Sequence, residues 1–261
     1  MTTPGTARHV GHVMGMPVTL ALRGRHARDR VALTAWQQIM DSLHEVDRIF
    51  STYRDDSEIS RLRDGSLALA DVSPLVDEVL HLAERARIES SGAFDVWTPG
   101  PGGVRSLDPS GVVKGWAIER AARFLDELTG TDTCLSAGGD MVCRTRVAGS
   151  PGWSIGIEDP NDPRRVLAVL PVTDGAVATS GTAHRGQHLV DGRTGLPPTR
   201  VASVTVVTAS LTWADIDATS AYAQGPDAAR WLSTRPDRTA LVVWTDGTTT
   251  PVRTAPDRQA A

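Results

Sequence analysis

VASVTVVTASLTWADIDATSAYA (residues 201–223) changes character in the middle. Its first eight residues are crowded with β-branched side chains and read as a strand. Residues 213–223 lose that bias and read as a helix. The stretch decides the fold class because it sets one helix inside a run of strands. Strand signals precede it at 133–137, 141–144, 153–158, 166–172 and 176–180. A short helix at 226–233 follows, then strands at 240–245 and 249–254 joined by an Asp246-Gly247 hairpin turn.

Working outward, the first half reads mostly as helix. Ala32, Trp36, Ile39, Met40, Leu43, Val46 and Phe50 recur at helical spacing and predict an amphipathic helix over 27–50. A second helix is predicted over 72–89, with Ser73 as cap and Pro74 at its first position. A third is predicted over 115–128. Residues 10–22 read as an interrupted strand, Ser57 as the cap of a short helix, and the Gly/Pro-rich residues 98–109 as a loop. Helices dominate the first half and strands the second, without regular alternation. That pattern points to an α+β fold rather than a doubly wound parallel sheet. With no internal repeat and no long linker, residues 1–261 are expected to form a single compact domain, with about 1–9 and 255–261 flexible.

Composition narrows the function classes. The chain has 261 residues, 40% of them hydrophobic, which suffices for a substantial core without disulfides. The net charge of −4 favours neither nucleic acid nor an anionic membrane as partner. No stretch approaches the ~20 apolar residues of a membrane span. No signal-peptide core or lipoprotein cysteine is recognisable near the start, so a cytoplasmic location is expected. Cys134 and Cys143 lie in one strand-like stretch and are expected to be two small buried side chains, not a disulfide. Of the 27 basic residues only Lys114 is a lysine. Where every other cation is a planar guanidinium, a single ammonium invites a specific role.

Four segments carry candidate chemistry. Asp215 and Thr219, four apart, share one face of the predicted helix and are hard oxygen ligands of the kind magnesium takes. The same segment also reads as a capping box, with Thr212 as cap and Asp215 three residues on. LDPSGVVKGW (107–116) brings glycines and Lys114 to a helix N-terminus, where amides and an ammonium can meet an anion. It lacks the glycine spacing and Lys-Ser/Thr pair of a P-loop. Ala137-Gly138-Gly139-Asp140 permits close backbone approach, as does any common turn. Residues 188–195 (HLVDGRTG) are dense in functional groups. There His188 is a candidate general base near neutral pH, or a plain structural residue.

The order of these segments adds a further reading. STYRDDSEISRL (51–62), GAFD (92–95), LDPSGVVKGWAIER (107–120), SAGGD (136–140), WSIGIEDP (153–160), AVATSG (176–181), HLVDGRTGLP (188–197) and ADIDAT (214–219) together resemble the FAD:protein FMN transferase family (ApbE, flavin transferase). The blocks run from Met14-Gly15 to about Gly225. The resemblance implies mixed or antiparallel sheets flanked by helices. It also implies a magnesium-dependent enzyme with FAD as substrate, which transfers FMN through a phosphoester to a Thr or Ser hydroxyl of an acceptor flavoprotein and releases AMP. By position, Asp215, Thr219 and the Gly111 carbonyl would hold the metal. Met14, Tyr53, Ala93, Phe94, Asp95, Asp108, Lys114 and His188 would line the FAD site. Asp215 and His188 are the candidate catalytic residues, with His188, or an acid near it, the candidate to take the hydroxyl proton. Two other readings share the same residues: a hydrolase giving FMN and AMP, and a non-catalytic flavin-binding carrier.

The chain departs from the family pattern in two places. Asp-Pro-Arg-Thr-Gly stands here as Asp191-Gly192-Arg193-Thr194-Gly195, and the stretch between Asp95 and Asp108 is short. Many members are exported lipoproteins; without that signal, a cytoplasmic acceptor is expected.

Overall fold

The computed structural model describes residues 5–99, 105–181 and 189–256. Its frame is an eight-stranded sheet in the order β1 (Ala7–Val13), β2 (Met16–Gly24), β5 (Thr131–Ala137), β6 (Asp140–Arg144), β9 (Gly175–Gly181), β10 (Val201–Thr208), β11 (Thr239–Trp244), β12 (Thr249–Arg253). Each neighbouring pair runs antiparallel. Two hairpins stand outside the sheet: β3 (Trp97–Pro99) with β4 (Arg105–Leu107), and β7 (Trp153–Asp159) with β8 (Asp162–Val172). The helices are α1 (Arg30–Phe50), α2 (Glu58–Arg63), α3 (Pro74–Glu89), α4 (Ser110–Ala122), α5 (Leu211–Ala223) and α6 (Ala228–Leu232). The expected α+β class holds, with an antiparallel sheet flanked by helices.

Side-chain alternation gives the sheet two packed faces. Leu20, Leu22, Leu135, Val142, Val204 and Val206 point to the helical side and join the large core. Each such Leu or Val contributes roughly 1.5–3 kcal/mol through its removal from water. Ala21, Cys134, Cys143 and Val177 point the other way. They pack with Ile155 and Val172 of the β7–β8 hairpin. The two cysteines are buried and free, as expected. They do not share one strand, however. Gly138-Gly139 breaks the segment into β5 and β6, and Cys134 sits directly opposite Cys143.

α1 begins at Arg30 because the Asp29 carboxylate caps it, accepting the Val31 and Ala32 N–H groups. Ser57 caps α2 by accepting the Ser60 N–H, as expected. Ser73 precedes α3 without a side-chain cap bond. Residues 98–109 are not simply a loop, since the short β3–β4 hairpin forms at their ends. α4 starts at Ser110, five residues earlier than the expected 115, and gives way to a 3-10 turn at Arg123–Leu125. The Asp108 carboxylate accepts the Ser110 N–H at 3.0 Å and so supports that start. No helix among the described residues is long and apolar enough to cross a membrane.

α5 differs from the other helices in being buried nearly all round, from Leu211 to Ala223. Such a helix belongs inside a core. Two of its buried residues, Asp215 and Asp217, are acidic, and a buried carboxylate needs a partner. Asp217 meets Arg235 and Arg238, at 3.1 and 2.6 Å. Burial pushes its carboxyl above the ordinary range, and the two guanidinium groups pull it back. This network ties α5 to the segment between α6 and β11. Asp215 turns to the opposite side, toward α4.

Candidate active site

α4 and α5 approach closely at Gly115. A Cβ there would stand 2.7 Å from the Asp215 Cβ and 2.8 Å from the Leu211 carbonyl oxygen. The Gly115 N–H donates to Asp215 Oδ2 at 3.0 Å. A carbonyl oxygen has two lone pairs, so the Gly111 oxygen keeps acceptor capacity beyond one helical hydrogen bond. Glu119, one turn further along α4, fixes the start of α5. Its Oε2 accepts from Ser210 Oγ at 2.8 Å, the Thr212 N–H at 2.9 Å and Thr212 Oγ1. The helix cap is Ser210, whose hydroxyl accepts the Trp213 N–H; it is not Thr212. Asp215 is thereby free of the capping-box role.

The helix pair opens on a cavity of about 320 Å³. Gly111, Lys114, Asp215 and Thr219 all line it, with Ser180 and the Gly138-Gly139 turn. Gly111, Asp215 and Thr219 thus line one cavity from two helices. A Cβ on Gly111 would lie 3.8 Å from Thr219 Cγ2 and 3.0 Å from the Phe94 ring. Thr219 Oγ1 lies 2.8 Å from Ser180 Oγ, so the hydroxyl is held by β9. The Lys114 ammonium stands 3.3 Å from Asp215 Oδ1 and forms a closer ion pair with Asp140. Burial pushes the Asp215 carboxyl up to about 7; Lys114 opposes the shift and the Asp140 charge adds to it.

Met14, Tyr53, Ala93, Phe94, Asp95 and Asp108 are not among the residues that line this cavity. Phe94 is buried against Gly111, and Ala93 is buried beside it. Asp95 accepts the Trp97 N–H at 2.8 Å and pairs with Arg105, so it anchors the β3–β4 hairpin. Met14 sits with Gly15 in the two-residue turn between β1 and β2, at φ 54°. A methionine there carries left-handed strain of roughly 1–2 kcal/mol. Register places this turn at the cavity end of the sheet, because Val18 pairs with Ala137 beside Gly138-Gly139. Tyr53 is 95% exposed and is not among the cavity-lining side chains. Asp108 also lies outside the lining, at the start of α4. His188 lies outside the described residues; its neighbour Leu189 lines the cavity.

The Asp191–Gly195 loop explains one departure from the family pattern. The Gly192 N–H donates to the Ala93 carbonyl at 2.9 Å. A Cβ at Gly192 would stand 2.6 Å from the Gly92 carbonyl oxygen and 2.7 Å from the Asp95 Cβ. Proline has neither that N–H nor that clearance. Asp191 turns back on Arg193, which also reaches Gln224 at 3.1 Å. This loop is a brace for the Gly92–Asp95 wall.

Sequence reasoning missed Glu119, Gly115 and Ser180, and left Asp140 without a role. Asp140 is fully buried at the start of β6, with Oδ1 accepting the Thr179 N–H at 3.0 Å. Its one sequence signal was its place directly after the paired glycines.

Solved structures share this architecture. An ApbE protein from Thermotoga maritima superposes with a TM-score of 0.81 at 20% identity, covering 95% of this chain and 97% of that one. The flavin transferase ApbE from Vibrio cholerae gives 0.78 at 24% identity, covering 96% and 98%. Among curated proteins, the FAD:protein FMN transferase of Haemophilus influenzae is 24% identical over 288 residues, 87% of this chain and 80% of its own length. The class is thus that of the ApbE fold. The ApbE family model matches residues 14–101 and 99–243, and the chain belongs to the ApbE family.

Proposed function

We propose that this chain is a FAD:protein FMN transferase. It takes FAD as substrate, uses magnesium, joins FMN through a phosphoester to a Thr or Ser hydroxyl of an acceptor protein, and releases AMP. It works as one domain. The observation that carries the reading is the convergence of Gly111, Lys114, Asp215 and Thr219 on one cavity from two helices 100 residues apart in sequence. The relatives' names supply the activity.

The donor set suits a hard cation. A carboxylate, a hydroxyl and a main-chain carbonyl are all oxygen ligands, and a few protein ligands suffice for magnesium, which keeps water and phosphate in its remaining positions. Asp215, Thr219 and the Gly111 carbonyl would hold it. The bound cation supplies charge neutralisation to the pyrophosphate oxygens. Asp215 in its buried setting gains most from a divalent partner, because burial is what disfavours its ionised form.

The chain's own residues supply the rest. Lys114 offers a point charge to a phosphate oxygen at the cavity wall. The Gly138-Gly139 turn keeps that wall free of Cβ atoms. Phe94 gives apolar surface next to Gly111. His188 is assigned the hydroxyl proton of the acceptor, a neutral-pH task for an imidazole.

The test is incubation with FAD and magnesium, with and without an acceptor domain, followed by chromatography for AMP. Transfer predicts AMP only with acceptor, together with acceptor-bound flavin fluorescence. AMP without acceptor makes the chain a FAD hydrolase. No AMP in either case leaves a flavin carrier.

A further inference from the structure

We propose that Asp140 is a positioning residue that draws the Lys114 ammonium toward itself, so that Lys114 pairs only partly with Asp215 and the Asp215 carboxylate keeps charge for a divalent cation. This rests on the metal-site reading above.

The geometry is a cluster of three charges. Lys114 lies between two carboxylates, paired closely with Asp140 and standing 3.3 Å from Asp215 Oδ1. Both carboxylates are almost wholly buried and both are fixed by main-chain donors. The Thr179 N–H of β9 holds Asp140 Oδ1 at 3.0 Å. The Gly115 N–H of α4 holds Asp215 Oδ2 at 3.0 Å. The ammonium is the movable member, on a four-carbon stem whose rotamers permit shifts that the two anchored carboxylates do not.

Position and charge act together here. In a poorly solvated site an ion pair is strong, and the ammonium goes to whichever carboxylate is nearer and better fixed. With Asp140 present, Lys114 satisfies Asp140, and the trio keeps one net negative charge facing the cavity. With Asp140 neutral, Lys114 collapses onto Asp215. The trio then carries no net charge, and Asp215 is occupied. A cation binds poorly to such a pair.

The test is a double-mutant cycle in magnesium affinity, measured by titration calorimetry on the full chain without FAD. Asp140→Asn keeps the shape and an acceptor for Thr179, while Lys114→Met keeps the stem and removes the ammonium. If Asp140 acts through Lys114, Asp140→Asn weakens magnesium binding at least about tenfold in the wild type and less than about threefold in the Lys114→Met background. Equal factors in both backgrounds mean that Asp140 acts only through its own field, and overturn the proposal. No change in either background overturns it as well. If Asp140→Asn does not fold, Asp140→Ser with and without Lys114→Met carries the same comparison. The metal-site reading fails separately, and takes the proposal with it, if Asp215→Asn leaves wild-type magnesium binding unchanged.

Discussion

The Gly115 N–H lies 3.0 Å from Asp215 Oδ2, and a Cβ on Gly115 would stand 2.7 Å from the Asp215 Cβ. This contact between α4 and α5 both sets the spacing of the two helices and aims the carboxylate. Gly115→Ala forces the helices apart or twists Asp215 away. A stability loss of about 1–3 kcal/mol is expected from the overpacking. Calorimetric melting checks the stability, and magnesium titration should show weaker binding even where the protein is fully folded.

Glu119 accepts three hydrogen bonds at the start of α5. Glu119→Ala leaves Ser210, Thr212 and its N–H without this acceptor. Hydrogen bonds to a charged group are worth about 1.5–3 kcal/mol each. The three share one oxygen, so a loss of about 2–4 kcal/mol in denaturant unfolding is expected rather than their sum. Glu119→Gln retains an acceptor and should lose less. Equal losses for both variants would contradict the assignment of the effect to these bonds.

Gly192→Pro recreates the usual family motif and is expected to harm this chain. It removes the N–H held by Ala93 and presses new atoms against Gly92 and Asp95. A cost of at least about 2 kcal/mol follows from the lost hydrogen bond and the clash. Thermal melting measures it. An unchanged or raised melting temperature would show that the loop does not brace this wall.

These residues show what the sequence made legible. Periodicity located α1, α3 and most strands because their apolar faces repeat at 3.6 or 2.0 residues. It missed the start of α4, since Ser110 and Gly111 have low helix propensity and tertiary contact with α5 overrides it. Ordered blocks located Asp215, Thr219, Gly111 and Lys114. Local spacing alone favoured a capping role for Asp215 over a ligand role. The capping role is removed by Ser210 taking the cap and Glu119 taking Thr212, contacts that span about 90 residues. Likewise Asp140 and Ser180 gain meaning only from partners on other strands and helices.

Burial makes the stability pH-dependent through Asp215. Its carboxyl is pushed up from an ordinary 3.8 to about 7. A raised folded-state value favours folding fully below pH ~4, and that contribution is lost as pH rises through about 7. The metal-free wild type should therefore lose stability relative to Asp215→Asn between pH 4 and 7. Added magnesium should reverse this by binding the ionised carboxylate. Parallel pH profiles for wild type and Asp215→Asn would contradict it.

Under the proposed function this cavity moves FMN from FAD to a protein hydroxyl. The most direct measurement is intact-mass spectrometry of an acceptor domain after incubation with the chain, FAD and magnesium. Wild type is expected to leave one FMN phosphoester on a single Thr or Ser of the acceptor, and Asp215→Asn or chelation of the metal to leave none. An unmodified acceptor, from folded wild-type protein that binds both FAD and magnesium, would contradict it.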